Sequence, residues 1–72
     1  MKVVDGHYEI LPVTFDEEGE YIIKPPIGVF EVENGHLKTL SHNIESDMSN
    51  PSVSEIMRRY GHNPYYLVKH IK

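Results

Sequence analysis

The sequence predicts a small α+β domain, with an antiparallel β-meander of about four strands packed by one C-terminal helix. Two observations support this prediction. Short β-compatible runs separated by glycine-containing turns fill the first forty residues, which is the pattern of antiparallel hairpins. One stretch with helical spacing of its apolar residues follows, after Pro51. Because 72 residues suit one domain, residues 1–72 are interpreted as a single α+β domain.

The clearest hairpin lies in residues 29–40, around Asn34 and Gly35. Both residues accept the positive φ of a type I′ turn, and β-compatible runs flank them. A two-residue turn places Phe30 and Val32 on one face of the sheet, together with Leu37. The predicted cross-strand pairs are Glu33–His36, Val32–Leu37, Glu31–Lys38, Phe30–Thr39 and Val29–Leu40.

A second turn motif, Asp5-Gly6, precedes another β-compatible run. It predicts an N-terminal hairpin of the same design, because Asp-Gly also favours a two-residue turn. The predicted pairs are Val4–His7, Val3–Tyr8 and Lys2–Glu9.

Pro12 interrupts the next strand, residues 7–15. Since proline cannot donate a ladder hydrogen bond, this strand is expected to lie at a sheet edge or to break at Pro12. A three-residue loop, 17–19, with Gly19 in the left-handed conformation would join it to the strand 21–24. That loop pairs Phe15 with Tyr21 and Val13 with Ile23, which places four large side chains on one face.

A helix is predicted over Pro51–Tyr60. It has two overlapping start signals: Asn50 as N-cap with Pro51 in the first turn, or Ser52 as N-cap with Glu55 closing a capping box. The apolar residues recur at helical spacing on one face, opposite a Glu55–Arg59 pair. That face consists of Val53, Ile56, Met57 and Tyr60.

The two remaining segments are less regular. Residues 41–50 are mostly polar and are expected to form a mobile connection between sheet and helix. Residues 63–72 fit either a final strand or a second short helix, because Asn63-Pro64 repeats a helix-start signal while most of the residues that follow are strand formers. The strand is the preferred interpretation.

The composition limits the cellular setting that we expect. There is no cysteine, so neither a disulfide nor a cysteine-based zinc site can form, which favours a reducing compartment. The N-terminal apolar run is too short for a signal peptide, and no apolar stretch approaches the ~20 residues of a membrane span. We therefore expect a soluble, unprocessed, cytoplasmic protein.

No motif predicts a catalytic, cofactor or metal site. The sequence lacks a nucleophile elbow and a glycine-rich phosphate loop, so the chain is not expected to be an enzyme. An acidic segment lacks the ligand spacing of an EF-hand and is interpreted as a solvated hairpin tip, and no histidine pair has zinc spacing, so no native metal site is expected. These residues are Asp16, Glu17, Glu18 and Glu20, and His7, His36, His42, His62 and His70.

Charge is distributed unevenly along the chain, and this suggests where a partner would bind. Residues 1–50 carry ten acidic and three basic side chains, whereas residues 51–72 carry one acidic and four basic ones. Arginine and tyrosine are favoured at interfaces. The candidate partner-binding residues are Arg58, Arg59, Tyr65, Tyr66 and Lys69.

The best-supported function from sequence is a small non-enzymatic interaction module that binds itself or another protein. A chain of this size buries only about 60% of the surface of its unfolded form, so a homodimer would supply useful burial.

The alternative is a nucleic-acid-binding module that uses the basic, aromatic C-terminal third on phosphates and bases. A basic second helix over residues 63–72 would favour nucleic acid, whereas a strand paired into the sheet leaves little basic surface. No membrane partner is expected.

Overall fold

A computed structural model describes residues 3–71. Its sheet is antiparallel at every pairing, and short helical segments follow in the C-terminal part, which confirms the predicted α+β class. The strands are β1 (Gly6–Phe15), β2 (Tyr21–Ile23), β3 (Gly28–Glu33), β4 (His36–Leu40) and β5 (Tyr66–Ile71); the helices are α1 (His42–Glu45) and α2 (Val53–Ile56), and α2 continues into a π-helix (Met57–Gly61).

β1 is the central strand of the sheet. Residues 7–10 pair with β3 and also with β5, so these two strands lie along opposite edges of β1. β2 pairs with residues 13–15 at the far end of β1, and β4 pairs with β3 on the outside. The preferred interpretation of the C-terminal segment as a strand is therefore confirmed.

The prediction that Pro12 lies at a sheet edge or breaks its strand is wrong. β1 continues through Pro12 and has partners on both sides. On the edge shared by β2 and β3, however, paired residues stop at Ile10 and resume at Val13. The carbonyl of Pro12 accepts the amide of Lys24 at 2.9 Å, from the link between those strands. Proline has no amide hydrogen to donate, but its nitrogen faces this gap in the ladder. No ladder hydrogen bond is therefore lost at Pro12.

The predicted turn at Asn34 and Gly35 is confirmed. Both residues have positive φ, 54° and 77°, as a type I′ turn requires. The two pairs nearest the turn match the prediction, Glu33 with His36 and Val32 with Leu37.

The rest of this hairpin departs from the predicted register. A bulge makes Lys38 an extra residue, so that Glu31 pairs with Thr39 and Phe30 with Leu40. The shift sets Leu40 beside Phe30 at the core, while the Lys38 ammonium lies 2.9 Å from Glu33 and 3.9 Å from Glu31. The predicted pairs Glu31–Lys38, Phe30–Thr39 and Val29–Leu40 are therefore wrong.

The predicted N-terminal hairpin at Asp5-Gly6 is also wrong. β1 begins at Gly6 and pairs with the neighbouring strands instead. Asp5 uses its carboxylate to accept the backbone amides of Asn34 and Gly35, at 2.8 and 3.0 Å. Asp5 therefore bonds to the distant turn at Asn34 and Gly35 and does not form a local hairpin turn. The predicted pairs Val4–His7 and Val3–Tyr8 do not form. Lys2, in the pair Lys2–Glu9, lies outside the described residues.

The hairpin between β1 and β2 forms in the predicted register. Phe15 pairs with Tyr21 and Val13 with Ile23, and Gly19 is left-handed at φ 82°. β2 ends at Ile23, one residue earlier than predicted.

A helix forms in the predicted region, but it begins at Val53 rather than Pro51, with Ser52 rather than Asn50 as its N-cap. The Ser52 hydroxyl accepts the amide of Glu55 at 3.2 Å, which satisfies one of the free amides of the first turn. After Ile56 the helix widens into a π-helix, where the amide of His62 donates to the carbonyl of Met57 at 3.1 Å.

The core lies between one face of the sheet, here the inner face, and the helices. Tyr8 stacks between Phe30 and His70, with ring centroids 5.0 and 4.7 Å apart, across three neighbouring strands. The connection 41–50 contributes too, since it forms α1 and buries two of its apolar residues. The buried core residues are Tyr8, Ile10, Phe30, Val32, Ile44, Met48, Val53 and Ile56.

Candidate interaction surface

The sheet has a second face, here the outer face, and part of it is apolar. Successive side chains of a strand point to opposite faces, and Tyr8 and Ile10 of β1 point to the core. Leu11 and Val13 are also buried but do not belong to that core cluster. They therefore lie on the outer face, where the cross-strand partners of Leu11 and Val13 are Leu67 and Ile23.

An open groove of ≈ 360 Å³ crosses the outer face at the end of β1. Val13 is buried at its floor, while Tyr21, Ile23 and Leu67 remain 73%, 57% and 40% exposed. Phe15 extends this surface, since its ring lies 5.2 Å from that of Tyr21 and is 46% exposed. The lining residues, called the outer groove below, are Val13, Tyr21, Ile23, Pro64, Tyr66 and Leu67.

The outer groove exists because the strand registers align large side chains on a face that none of the helices within residues 3–71 covers. The helical residues that are buried all pack on the opposite, inner face. Isolated exposed apolar residues are ordinary on protein surfaces, but a contiguous group marks a site of contact. Several such residues converge here on one floor residue, Val13.

An acidic loop, residues 16–20, adjoins the outer groove. It joins Phe15 directly to Tyr21. The carboxylate of Asp16 accepts the amides of Glu18 and Glu20, each at 2.9 Å, and this fixes the loop backbone. No ion pair within residues 3–71 involves the loop carboxylates, so their negative charge faces solvent.

The predicted binding residues Arg58 and Arg59 share one internal partner. The Glu55 carboxylate binds Arg58 Nη2 at 2.5 and 2.6 Å and Arg59 Nε at 3.1 Å. These hydrogen bonds lower the pKa of Glu55 and raise that of Arg58. Arg59 Nη1 also donates to the Asp47 carbonyl at 3.3 Å. Both arginines are therefore already engaged in hydrogen bonds within the helical layer, which makes them less available to a ligand.

The other predicted binding residues lie apart from one another. The Tyr66 ring packs edge-on against Tyr60 of the π-helix, with centroids 4.9 Å apart. Burial raises the pKa of Tyr60 at this contact. Lys69 pairs with Glu9 in the ladder and shares the outer face with Leu67. Tyr65, just before β5, is 63% exposed. Arg58 and Arg59 thus lie in the helical layer and Lys69 on the outer face, while Tyr66 both contacts the helical layer and lines the outer groove.

Part of the outer groove was predictable from the sequence. The β1–β2 register correctly placed Val13, Phe15, Tyr21 and Ile23 on one face. Nothing in the pattern indicated that the helices would cover the other face. The alternation of Leu67 with Lys69 and Ile71 was the available signal that β5 completes the groove.

Residues 3–71 contain no group of three or more histidine and acidic side chains arranged to hold a metal ion. Within the same range, no helix has the length and apolar character needed to cross a membrane.

Comparisons of the chain with protein-family models, with curated proteins and with solved structures find no match.

Proposed function

We propose that this chain is a non-enzymatic interaction module that docks a protein partner, either a second copy or a different protein, in the outer groove. The observation that supports this most directly is the exposure of Tyr21, Ile23 and Leu67 around the buried Val13. Aromatic residues are enriched at the centres of interfaces, where they fill pockets from which water is excluded.

The energetics favour a contact at this position. Burying an exposed side chain of the size of leucine or isoleucine is worth about 1.5–3 kcal/mol. Ile23 and Leu67 retain much of their surface in water, and the neighbouring rings add more. A partner that covers the outer groove recovers this free energy, after the cost of association is subtracted.

The nucleic-acid alternative has weaker support. Residues 66–71 form a strand paired to β1 rather than a basic helix. Arg58 and Arg59 are held by Glu55, and Lys69 lies across the sheet from them. A phosphate-binding surface needs several cations on one side.

Affinity capture with matched variants tests the proposal. The groove variant combines Ile23→Ser with Leu67→Ser. The control is Val29→Ser, which removes another exposed apolar side chain of the outer face, outside the groove. We expect the wild-type chain and the control to retain the same partners and the groove variant to lose them, with circular dichroism confirming that all three fold.

Sedimentation at tens of micromolar covers the case in which the partner is a second copy. A dimer seated on the outer groove should persist in high salt, because apolar contacts are not screened, and should dissociate in the groove variant. The proposal is wrong if the groove variant retains both the captured partners and the sedimentation behaviour of the wild type.

A further inference from the structure

We infer that the occupant of the outer groove is a cationic segment of a different protein, with bulky apolar side chains that enter the groove and basic side chains that meet the acidic loop. This inference rests on the proposed function and adds the chemistry of the partner. It follows from three observations on the groove, the loop and the basic residues of the chain itself.

The first observation is the size and openness of the outer groove. Its ≈ 360 Å³ lies at the lower end of the volumes of ligand-binding clefts. That space suits a few side chains of a peptide segment. Val13 at its floor is apolar, as are Ile23 and Leu67 on its walls, so the inserted side chains must be apolar as well.

The second observation is the charge beside the groove. The acidic loop supplies four carboxylates in five residues, and it begins directly after Phe15 and ends directly before Tyr21. The Asp16 carboxylate is bound to amides of the loop itself. The carboxylates of Glu17, Glu18 and Glu20 remain available to a partner. Charges at the rim of an interface select partners of opposite sign and accelerate encounter.

The third observation is that the chain offers few cations to a copy of itself. Arg58 and Arg59 are bound to Glu55, and Lys38 is bound to Glu33 and Glu31. Among residues 3–71 this leaves Lys24 and Lys69 without a carboxylate partner within 4.0 Å. Two copies with net charge −4 each also repel one another, so a basic partner of another kind complements the surface better.

Three twelve-residue peptides test the inference against the intact chain. The first combines lysines with leucines and one tryptophan, the second replaces its lysines by glutamates, and the third keeps the lysines and the tryptophan and replaces the leucines by serines. The chain contains no tryptophan, so the emission of the peptide tryptophan reports its burial directly. Amide shifts in the labelled chain locate the contact.

We expect the basic apolar peptide to bind about tenfold more tightly than either of the others, and to shift residues of the outer groove and the acidic loop. The variant Glu17→Gln with Glu18→Gln should weaken binding about fivefold, because each exposed ion pair contributes little by itself. Its matched control, Glu45→Gln with Asp47→Asn, removes the same charge from the helical layer and should change binding less than about twofold.

The peptide and groove-variant experiments separate the inference from the proposed function. Equal binding of the acidic apolar peptide, or binding unaffected in the loop variant, would overturn the inference. A wild-type dimer that the groove variant abolishes would also overturn it, in favour of a second copy, while the proposed function stands. If no peptide binds and the groove variant retains both the captured partners and the sedimentation behaviour of the wild type, the inference and the proposed function fail together.

Discussion

The carboxylate of Asp5 accepts the backbone amide of Asn34 at 2.8 Å, although 29 positions separate the two residues. Its other oxygen accepts the amide of Gly35 at 3.0 Å. Both amides belong to the type I′ turn between β3 and β4, where they point away from the ladder. The segment before β1 is therefore tied to the tip of the neighbouring β3–β4 hairpin, and the bond closes a long loop of the chain.

Replacing Asp5 by alanine should lower the free energy of unfolding by about 1 kcal/mol, since the turn amides lose a charged acceptor and must bind water. Chemical denaturation measures the change. Amide exchange at Asn34 and Gly35 should accelerate in the variant while the centre of β1 stays protected. Unchanged exchange at both amides would show that this bond does not hold the turn in solution.

Gly35→Val should cost more stability than Gly19→Ala. Both glycines have positive φ, 77° and 82°, and neither has an atom within 4 Å of the position of an added Cβ. The difference therefore comes from the backbone: a β-branched residue tolerates positive φ worse than alanine does. Equal midpoints of denaturation for the two variants would contradict the central role of the β3–β4 turn.

Ile56→Ala should cost about 2–4 kcal/mol, because Ile56 is fully buried and the substitution leaves a cavity between helix and sheet. Ser54→Ala on the same helix is the control. Its side chain is exposed, so its effect should stay within about 0.5 kcal/mol. Urea denaturation compares the two, and the reverse order would mean that α2 presents its other face to the sheet.

Local chemistry made much of the fold predictable from sequence. Asn34-Gly35 and Gly19 specify their turns through positive φ, and Ser52 specifies the start of α2 through its hydroxyl. The wrong predictions at Asp5 and Pro12 have a common cause, because the hydrogen bonding of each residue depends on a distant segment. The Asp5 carboxylate accepts the turn amide of Asn34, and the Pro12 carbonyl accepts the amide of Lys24 where the ladder has a gap. Local rules favour a nearby turn and an edge strand, and tertiary contacts replaced both.

The candidate site was less predictable for a related reason. Arg58 and Lys69 stand out in the sequence because they are charged, and charge says nothing of which face a residue occupies. The outer groove depends on which side of the sheet the helices cover. That choice follows from the packing of Ile44 and Ile56 on Phe30 and its neighbours, and hydrophobic alternation along a strand is symmetric between the two faces.

Glu55 joins both arginines of the C-terminal helical segment. Its carboxylate lies 2.5 Å from Arg58 and 3.1 Å from Arg59, one turn further along the chain. The hydrogen bonds from Arg58 and then Arg59 are the main reason that the pKa of Glu55 lies below its usual value. Since the π-helix begins at Met57, this cluster bridges α2 and the wider turn that follows.

Glu55→Gln should therefore destabilise the chain in a pH-dependent manner. A carboxylate whose pKa is lowered by folding stabilises the native state above its unfolded pKa, about 4.3, and loses that contribution as the pH falls through its folded pKa. The melting temperature of the variant should lie below that of the wild type at pH 7, and the difference should shrink below about pH 4.3. Added salt should also reduce it, because the pairs are exposed.

Glu45→Gln, an exposed acid without a described ion pair within residues 3–71, serves as the control. A difference that stays constant from neutral to acid pH would mean that the carboxylate charge is not what Arg58 and Arg59 recognise.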